Sequence, residues 1–375
     1  GDWSSDVCSS DLHTMKKVLN LLIVSVFGMF MLMVVLPSCE GPQGAQGTAG
    51  IDGTDGTDGV DANSWCINCH TMANKNTIKA QFAGTKHGPM NGSVGYAGGR
   101  SGCAACHSYQ GFMETQLTGR DTTAANVPIP TAFKCDMCHT FHGTLEQSEF
   151  PDYALRANDP VSLIYNEHAT SVDLSGSSNL CSNCHQPRNR DGFPLVPNGP
   201  DSVAVTSSHW GTHYGTQSVI MAGAEGFEWP GSMAYESSGH NGTVDCAGCH
   251  MNKDGGDDVG GHTWRMKNPE GVENLAACTS CHSGATSFDY NGVQTEIAAL
   301  TDELHHLLEE HKLIDDTGHA IPYTKDEGLG RKWTSNECGA VFNYLLMHYE
   351  GSHGVHNYKY SKALLVNSIE LAKTW

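Results

Sequence analysis

The chain has 375 residues, of which 39% are hydrophobic, with 43 glycines, 15 cysteines and 21 histidines. Length alone allows two domains, but the apolar content is low for an ordinary core. The formal charge of −20 disfavours a nucleic-acid partner and points to a strongly acidic, soluble surface.

Residues 1–12, GDWSSDVCSSDL, read as the translation of a sequencing adapter, so Cys8 carries no meaning and residues 1–14 are expected to precede the true start at Met15. Met15-Lys16-Lys17 then opens a secretory signal, with an apolar run over 18–36 that is long enough to raise a transmembrane reading. The run ends in Leu36-Pro37-Ser38-Cys39, which resembles the bacterial lipobox. On that resemblance residues 15–38 are a lipoprotein signal peptide and Cys39 is the lipidated N-terminus, with an uncleaved anchor or ordinary cleavage as the alternatives. Glu40, not Asp, follows the cysteine, so the lipoprotein resemblance implies an outer-membrane address, on the periplasmic or the cell-surface side.

Residues 39–61 hold that cysteine and a collagen-like Gly-X-Y spacer, with glycine at every third place from Gly41 to Gly59. With one proline in seven triplets it is better suited to an extended or flexible stalk than to a triple helix, and it could span about 65 Å.

Residues 62–375 form the remaining domain, and they carry the chemistry. Cys-x-x-Cys-His occurs six times: Cys66-Cys69-His70, Cys103-Cys106-His107, Cys135-Cys138-His139, Cys181-Cys184-His185, Cys246-Cys249-His250 and Cys278-Cys281-His282. About 0.03 such matches are expected by chance at this composition, so six is a specific signal. The two thiols can each take one vinyl group of haem, and the following histidine then lies under the iron as its proximal ligand. Zinc also takes Cys-x-x-Cys pairs but needs no histidine directly after the second cysteine. Redox-active disulfides of this spacing do not come six to a chain. The expected cofactors are therefore six haem c, whose flat apolar bodies replace much of the missing core. Their propionates add up to about −12 of charge to an already acidic chain.

The Gly-rich stretch 84–102, the extended Val127-Pro128-Ile129-Pro130, and the stretches 186–200 and 225–242 read as loops. Helices are expected near the end. Val293, Ile297, Leu300, Leu304, Leu307 and Leu308 share one face over 293–313. Thr334-x-x-Glu337 forms a capping box before Val341, Tyr344, Leu345 and His348. Residues 360–374 carry Leu364, Leu365, Ile369 and Leu371. The expected fold class is thus mostly irregular and α: a multihaem cytochrome c with a haem-packed core, few helices concentrated at the C-terminus, and little or no sheet.

Each iron needs a sixth ligand, and 14 histidines remain once His13 and the six proximal ones are set aside. A distal imidazole must reach a flat ring, so small neighbours help. This selects His87, His213, His240, His262 and His356. His142, three residues after His139, is the sixth choice; a helical turn there would send the two imidazoles to different haems. His209 is the alternative to His213. His168, His305, His306, His319 and His353 read as solvated, His311 and His348 as buried structural residues. Met90, Met113, Met137, Met221 and Met251 read as core residues and Cys338 as a buried free thiol.

The phrases CSNCHQPR (181–188), SSHWGTHYGTQ (207–217), GGHTWRM (260–266) with CTSCH (278–282), and FNYLLMHYEGSHGVHNYKYSKALL (342–365) resemble the multihaem c-type cytochromes of bacterial respiration, many of them lipid-anchored or secreted. The last phrase is also similar to the C-terminal end of the ammonia-forming nitrite reductases, which implies that His356 is a distal ligand. Those enzymes usually hold their catalytic haem through Cys-x-x-Cys-Lys, a motif this chain lacks. The reading that follows is an electron carrier, with no catalytic residue, working between redox protein partners such as donor and acceptor cytochromes or a membrane quinol oxidoreductase in anaerobic respiration, with a homo-oligomer possible. Two alternatives stand beside it: a reductase of a small nitrogen or sulfur oxyanion with one open haem, and a subunit of an extracellular cytochrome filament.

Overall fold

The computed structural model describes residues 64–89, 91–143, 153–164, 170–187, 196–252, 258–325 and 328–375. The chain divides into Gly1–Asp61 and Ala62–Trp375, and every described residue lies in the second unit. The expected leader, signal peptide, Cys39, the collagen-like spacer, Met90 and His168 lie outside the described residues. No helix among the described residues is long and apolar enough to cross a membrane.

The fold is mostly helical and irregular. Its first half is built from short helices: α1 (Ser64–His70), α2 (Met72–Ala83), α3 (Gly92–Ala97), α4 (Ser101–His107), α5 (Tyr109–Thr118) and the single turn α6 (Cys135–Cys138). The α2 helix departs from the loop-rich reading of this region. It has no fully buried side chain, and only Ile78 and Phe82 give it a short apolar edge. Its ends are nevertheless marked, by Thr71 accepting from Asn74 N at 3.1 Å and by Gly84 at the C-cap. Helices α4 and α5 meet at a hinge where Ser108 caps α5 through Gly111 N at 3.1 Å. They cross so closely that a Cβ on Gly111 would lie 2.2 Å from Ala104 O.

Sheet is confined to two antiparallel pairs among the described residues. Strands β1 (Val161–Ser162) and β2 (Ser171–Val172) pair Val161 with Val172. Strands β3 (Ser202–Val203) and β4 (Trp333–Thr334) pair Val203 with Trp333. Between them in sequence lie α7 (Ser177–Ser182), α8 (Gln217–Ala222) and α9 (Cys246–His250).

The apolar core sits at the C-terminal end, around α10 (Val293–Glu310), α11 (Ser335–Glu350) and α12 (Tyr358–Ala372), which pack on one another. Helix α11 is its axis: 13 of its 16 residues are buried, so it is enclosed on nearly every face. Its start is held by the expected capping box. Thr334 Oγ1 accepts from Glu337 N at 3.2 Å and the Glu337 carboxylate accepts from Thr334 N at 2.7 Å. Arg331 binds that same carboxylate at 2.6 and 2.9 Å. The left-handed Gly351, φ 76°, ends the helix. Helix α10 is amphipathic as expected, burying Ile297, Leu304 and Leu308. Cys338 is fully buried, and burial pushes its thiol well above the usual range.

The loop before α9 is tied to the core helices by three asparagines. Asn343 accepts from Phe227 N and donates to Phe227 O, both at 2.8 Å. Asn367 makes the same pair of bonds to Met233, at 3.0 and 2.9 Å. Asn357 accepts from Ser238 N at 2.8 Å. The Phe227 ring packs against Gly339, where a Cβ would fall 2.2 Å from it. These bonds satisfy loop backbone that lacks a ladder of its own.

Two single-histidine expectations are corrected. His348 is exposed at the last turn of α11, stacked on Tyr344 at 5.5 Å, because it lies on the one open face of that turn, between the buried Met347 and Glu350. His311 is half-buried and packs on Trp375 at 5.2 Å.

Candidate functional site

Each Cys-x-x-Cys-His motif is one helical turn. The third, fourth and sixth show it in the bonds from His139 N to Cys135 O, His185 N to Cys181 O and His282 N to Cys278 O, at 2.9, 3.0 and 2.8 Å. The first, second and fifth lie within α1, α4 and α9. A helical turn puts positions i, i+3 and i+4 on one face, so both thiols and the imidazole of each motif look the same way.

Opposite each motif histidine stands one other histidine. The ring centroids of His70 and His142 are 6.1 Å apart, those of His185 and His87 6.0 Å, and those of His107 and His213 6.0 Å. His139 faces His262 at 6.3 Å, His282 faces His240 at 6.0 Å, and His250 faces His356 at 6.2 Å. The structure thus brings all six expected distal histidines against the six motifs, one to each. Two imidazoles on opposite sides of one metal, each with a metal–nitrogen bond of about 2 Å, have centroids about 6.2 Å apart. The observed spacings fit that arrangement.

The second nitrogen of many of these rings is already engaged. His139 Nδ1 donates to Tyr153 O at 3.1 Å, His250 to Trp264 O at 3.1 Å, His213 to Tyr214 O at 3.0 Å and His240 to Val355 O at 2.7 Å. His185 donates to Gln217 Oε1 at 3.0 Å, and His107 Nδ1 lies 2.9 Å from Ser93 Oγ. His356 Nδ1 is bound to the buried carboxylate of Glu350. An Nδ1–H held in this way fixes the tautomer and leaves Nε2 to ligate. None of these anchors was read from the sequence. Most are backbone carbonyls, which leave no signal there. Gln217 and Glu350 are the two side chains with a visible one, beside a chosen histidine phrase or six residues ahead of His356.

In four of these rings burial favours the neutral imidazole, the form that binds metal. Burial, with His185 and His250 nearby, pushes His87 down to about 4. Burial likewise lowers His185, His250 and His262. For His356, burial alone would lower the pKa, but Glu350 outweighs it and the net shift is upward.

The residues fit haem better than zinc. Among the described residues no group of three or more His, Cys, Asp or Glu could hold a metal ion. A zinc site needs about four protein ligands, whereas porphyrin supplies four nitrogens and asks the chain for two. Large apolar side chains stand exposed beside the pairs, including Phe141 at 96%, Met72 at 71% and Tyr214 at 61%. A flat macrocycle would cover such surface.

The helical turn expected over 139–142 is not formed. His139 is extended and makes an isolated antiparallel bridge to Leu155, so the chain leaves the helical turn at His139. Its histidines still serve two pairs, His139 toward His262 and His142 toward His70. Other contacts tie pairs together. Cys106 Sγ lies 3.8 Å from Asn183 O, joining the second motif to the fourth. Cys246 N donates to Ser178 Oγ at 3.0 Å, joining the fifth to α7. His209, the alternative to His213, instead faces His319 at 5.7 Å.

No protein-family model matches the chain, and no curated protein does. Among solved structures it is similar to the outer cell wall cytochrome OcwA, at 20% identity and a TM-score of 0.49, over 79% of this chain and 50% of that one. The chain therefore spans about half the length of that cytochrome.

Proposed function

We propose that the chain is a hexahaem c-type electron-transfer protein in which all six irons are held between two histidines. The observation that carries this is the six-fold pairing of a motif histidine with a second histidine at 6.0–6.3 Å. Haem supplies reversible one-electron storage at its iron. The motif thiols would anchor the macrocycle, the paired histidines would hold its iron, and the Nδ1 hydrogen bonds would set the orientation of their rings. Were both histidines of each pair to ligate, a bound haem would have no open position for a substrate, which favours a carrier over a reductase.

The acidic exported domain would pass electrons between redox protein partners at the periplasm or outer surface, carried on the spacer and lipid of Cys39. Pyridine haemochromogen analysis of the mature protein should return six haems per chain. The ferrous protein should show no CO difference spectrum. A CO-binding haem would turn the reading toward a reductase, and a count well below six with zinc present would end it.

A further inference from the structure

One residue touches three of the six pairs. Trp264 packs its indole against His87 at 4.9 Å and 90°, and against His262 at 5.5 Å and 70°. Its main-chain carbonyl accepts from His250 Nδ1 at 3.1 Å. His87 belongs to the pair of the fourth motif, His262 to that of the third and His250 to that of the fifth.

The turn that carries this residue is over-determined. Trp264 has φ 51°, a left-handed conformation that a bulky residue holds only when its surroundings impose it. Thr263 Oγ1 donates to Gly260 O at 2.6 Å and accepts from Arg265 N at 3.2 Å. His262 N donates to Gln81 Oε1 at 3.1 Å and Arg265 donates to Gly84 O at 2.7 Å, clamping the turn on α2. This left-handed turn, held by these bonds, lies at the meeting point of three histidine pairs.

We propose that Trp264 is a positioning residue shared by the third, fourth and fifth sites: its indole sets the ring angles of His87 and His262, its carbonyl sets His250, and the electron path branches at this point. The inference rests on the six-haem reading above. Arms leave the junction through contacts already described. The first site joins the third through the 139–142 segment, and the second joins the fourth through Asn183. The sixth joins the fifth where His240 is bound to Val355, the neighbour of His356.

The test uses the full-length haem-loaded protein and its Trp264→Leu and Trp264→Phe variants, with haem counted first. The EPR of the ferric state is then compared. The fifth-site signal is marked independently by the variant Glu350→Gln. Removing the ring in Trp264→Leu should shift two of the six low-spin signals, those of the third and fourth sites, and leave the fifth in place because the carbonyl remains. Trp264→Phe, which keeps an aromatic edge, should return both signals most of the way.

Six unchanged signals in Trp264→Leu, or a shift that includes the fifth, would overturn the proposal. Should Trp264→Leu load fewer than six haems, Trp264→Met, of similar reach and no ring, takes its place under the same criteria. Fewer than six haems in the unaltered protein would instead overturn the underlying reading of the sites.

Discussion

Glu350 and His356 pair a buried carboxylate with a partly buried imidazole. The Glu350 side chain is wholly shielded from solvent, and one of its oxygens takes the Nδ1 hydrogen bond of His356. Its other oxygen accepts from Ser352 N and Ser352 Oγ, both at 2.9 Å. Burial alone would raise the Glu350 pKa, but attraction to His356 and the Ser352 bonds outweigh it, so the group is held ionised. A carboxylate behind a ligating imidazole raises its basicity and favours the higher oxidation state of the metal. Replacing Glu350 by Gln keeps the shape and removes the charge. One of the six midpoint potentials should rise, by about 60 mV for a tenfold change in the ferric–ferrous preference. A spectroscopic redox titration measures it, and six unmoved components would refute the role.

The six pairs fall into two classes by the angle between their rings. His139–His262 and His250–His356 are tilted by 38°. The other four lie between 65° and 84°. Crossed imidazole planes leave two iron d-orbitals nearly degenerate, whereas aligned planes split them. Low-temperature EPR of the ferric protein should therefore show two ordinary rhombic low-spin signals and four highly anisotropic ones with a large maximal g. Six signals of one type would contradict these ring angles.

How much of this was readable beforehand differs by element. The thiol spacing is local chemistry, fixed within five residues, so the motifs needed no fold. The facing histidines could be narrowed by their small neighbours, since the room an imidazole needs is partly a property of adjacent residues. Their assignment to particular motifs could not, because His87 meets His185 and His240 meets His282 only through tertiary packing. The C-terminal helices were legible where one face is apolar, as in α10, or where a cap is written out, as at Thr334. Helix α2 was not, because its few apolar residues, such as Ile78 and Phe82, are too sparse to mark a period. The exit of the chain from helix at His139 is tied to its bridge with Leu155, which no local pattern announces.

Asn343 bridges helix α11 to the loop at Phe227 and to Ser368 Oγ on α12, the last at 2.9 Å, and is fully buried. An alanine there would strand the Phe227 N–H and carbonyl away from water. Each orphaned buried group costs roughly 1–3 kcal/mol, so Asn343→Ala should destabilise the domain by about 3 kcal/mol. Denaturant unfolding followed by far-UV circular dichroism checks this, with the haem count unchanged as the control. A loss well under about 1 kcal/mol would show that the loop re-forms its bonds elsewhere.

The Glu337 cap of α11 makes one contribution to stability depend on pH. Burial pushes its carboxyl up, but the Arg331 hydrogen bonds and the Thr334 N–H more than reverse this, and the folded-state pKa lies below the usual value. A depressed carboxyl pKa stabilises the folded state fully above the unfolded value of about 4.3, and that stabilisation drains away as pH falls through the folded value. Arg331 is half exposed, so solvent screens the ion pair and most of the effect resides in the cap. Glu337→Gln should therefore cost about 1 kcal/mol at pH 7. The gap between variant and unaltered protein should close in acid, once Glu337 is itself protonated. Unfolding midpoints measured across that range decide it: a gap that persists or widens as the pH falls would mean that the carboxylate's charge is not what holds the helix start.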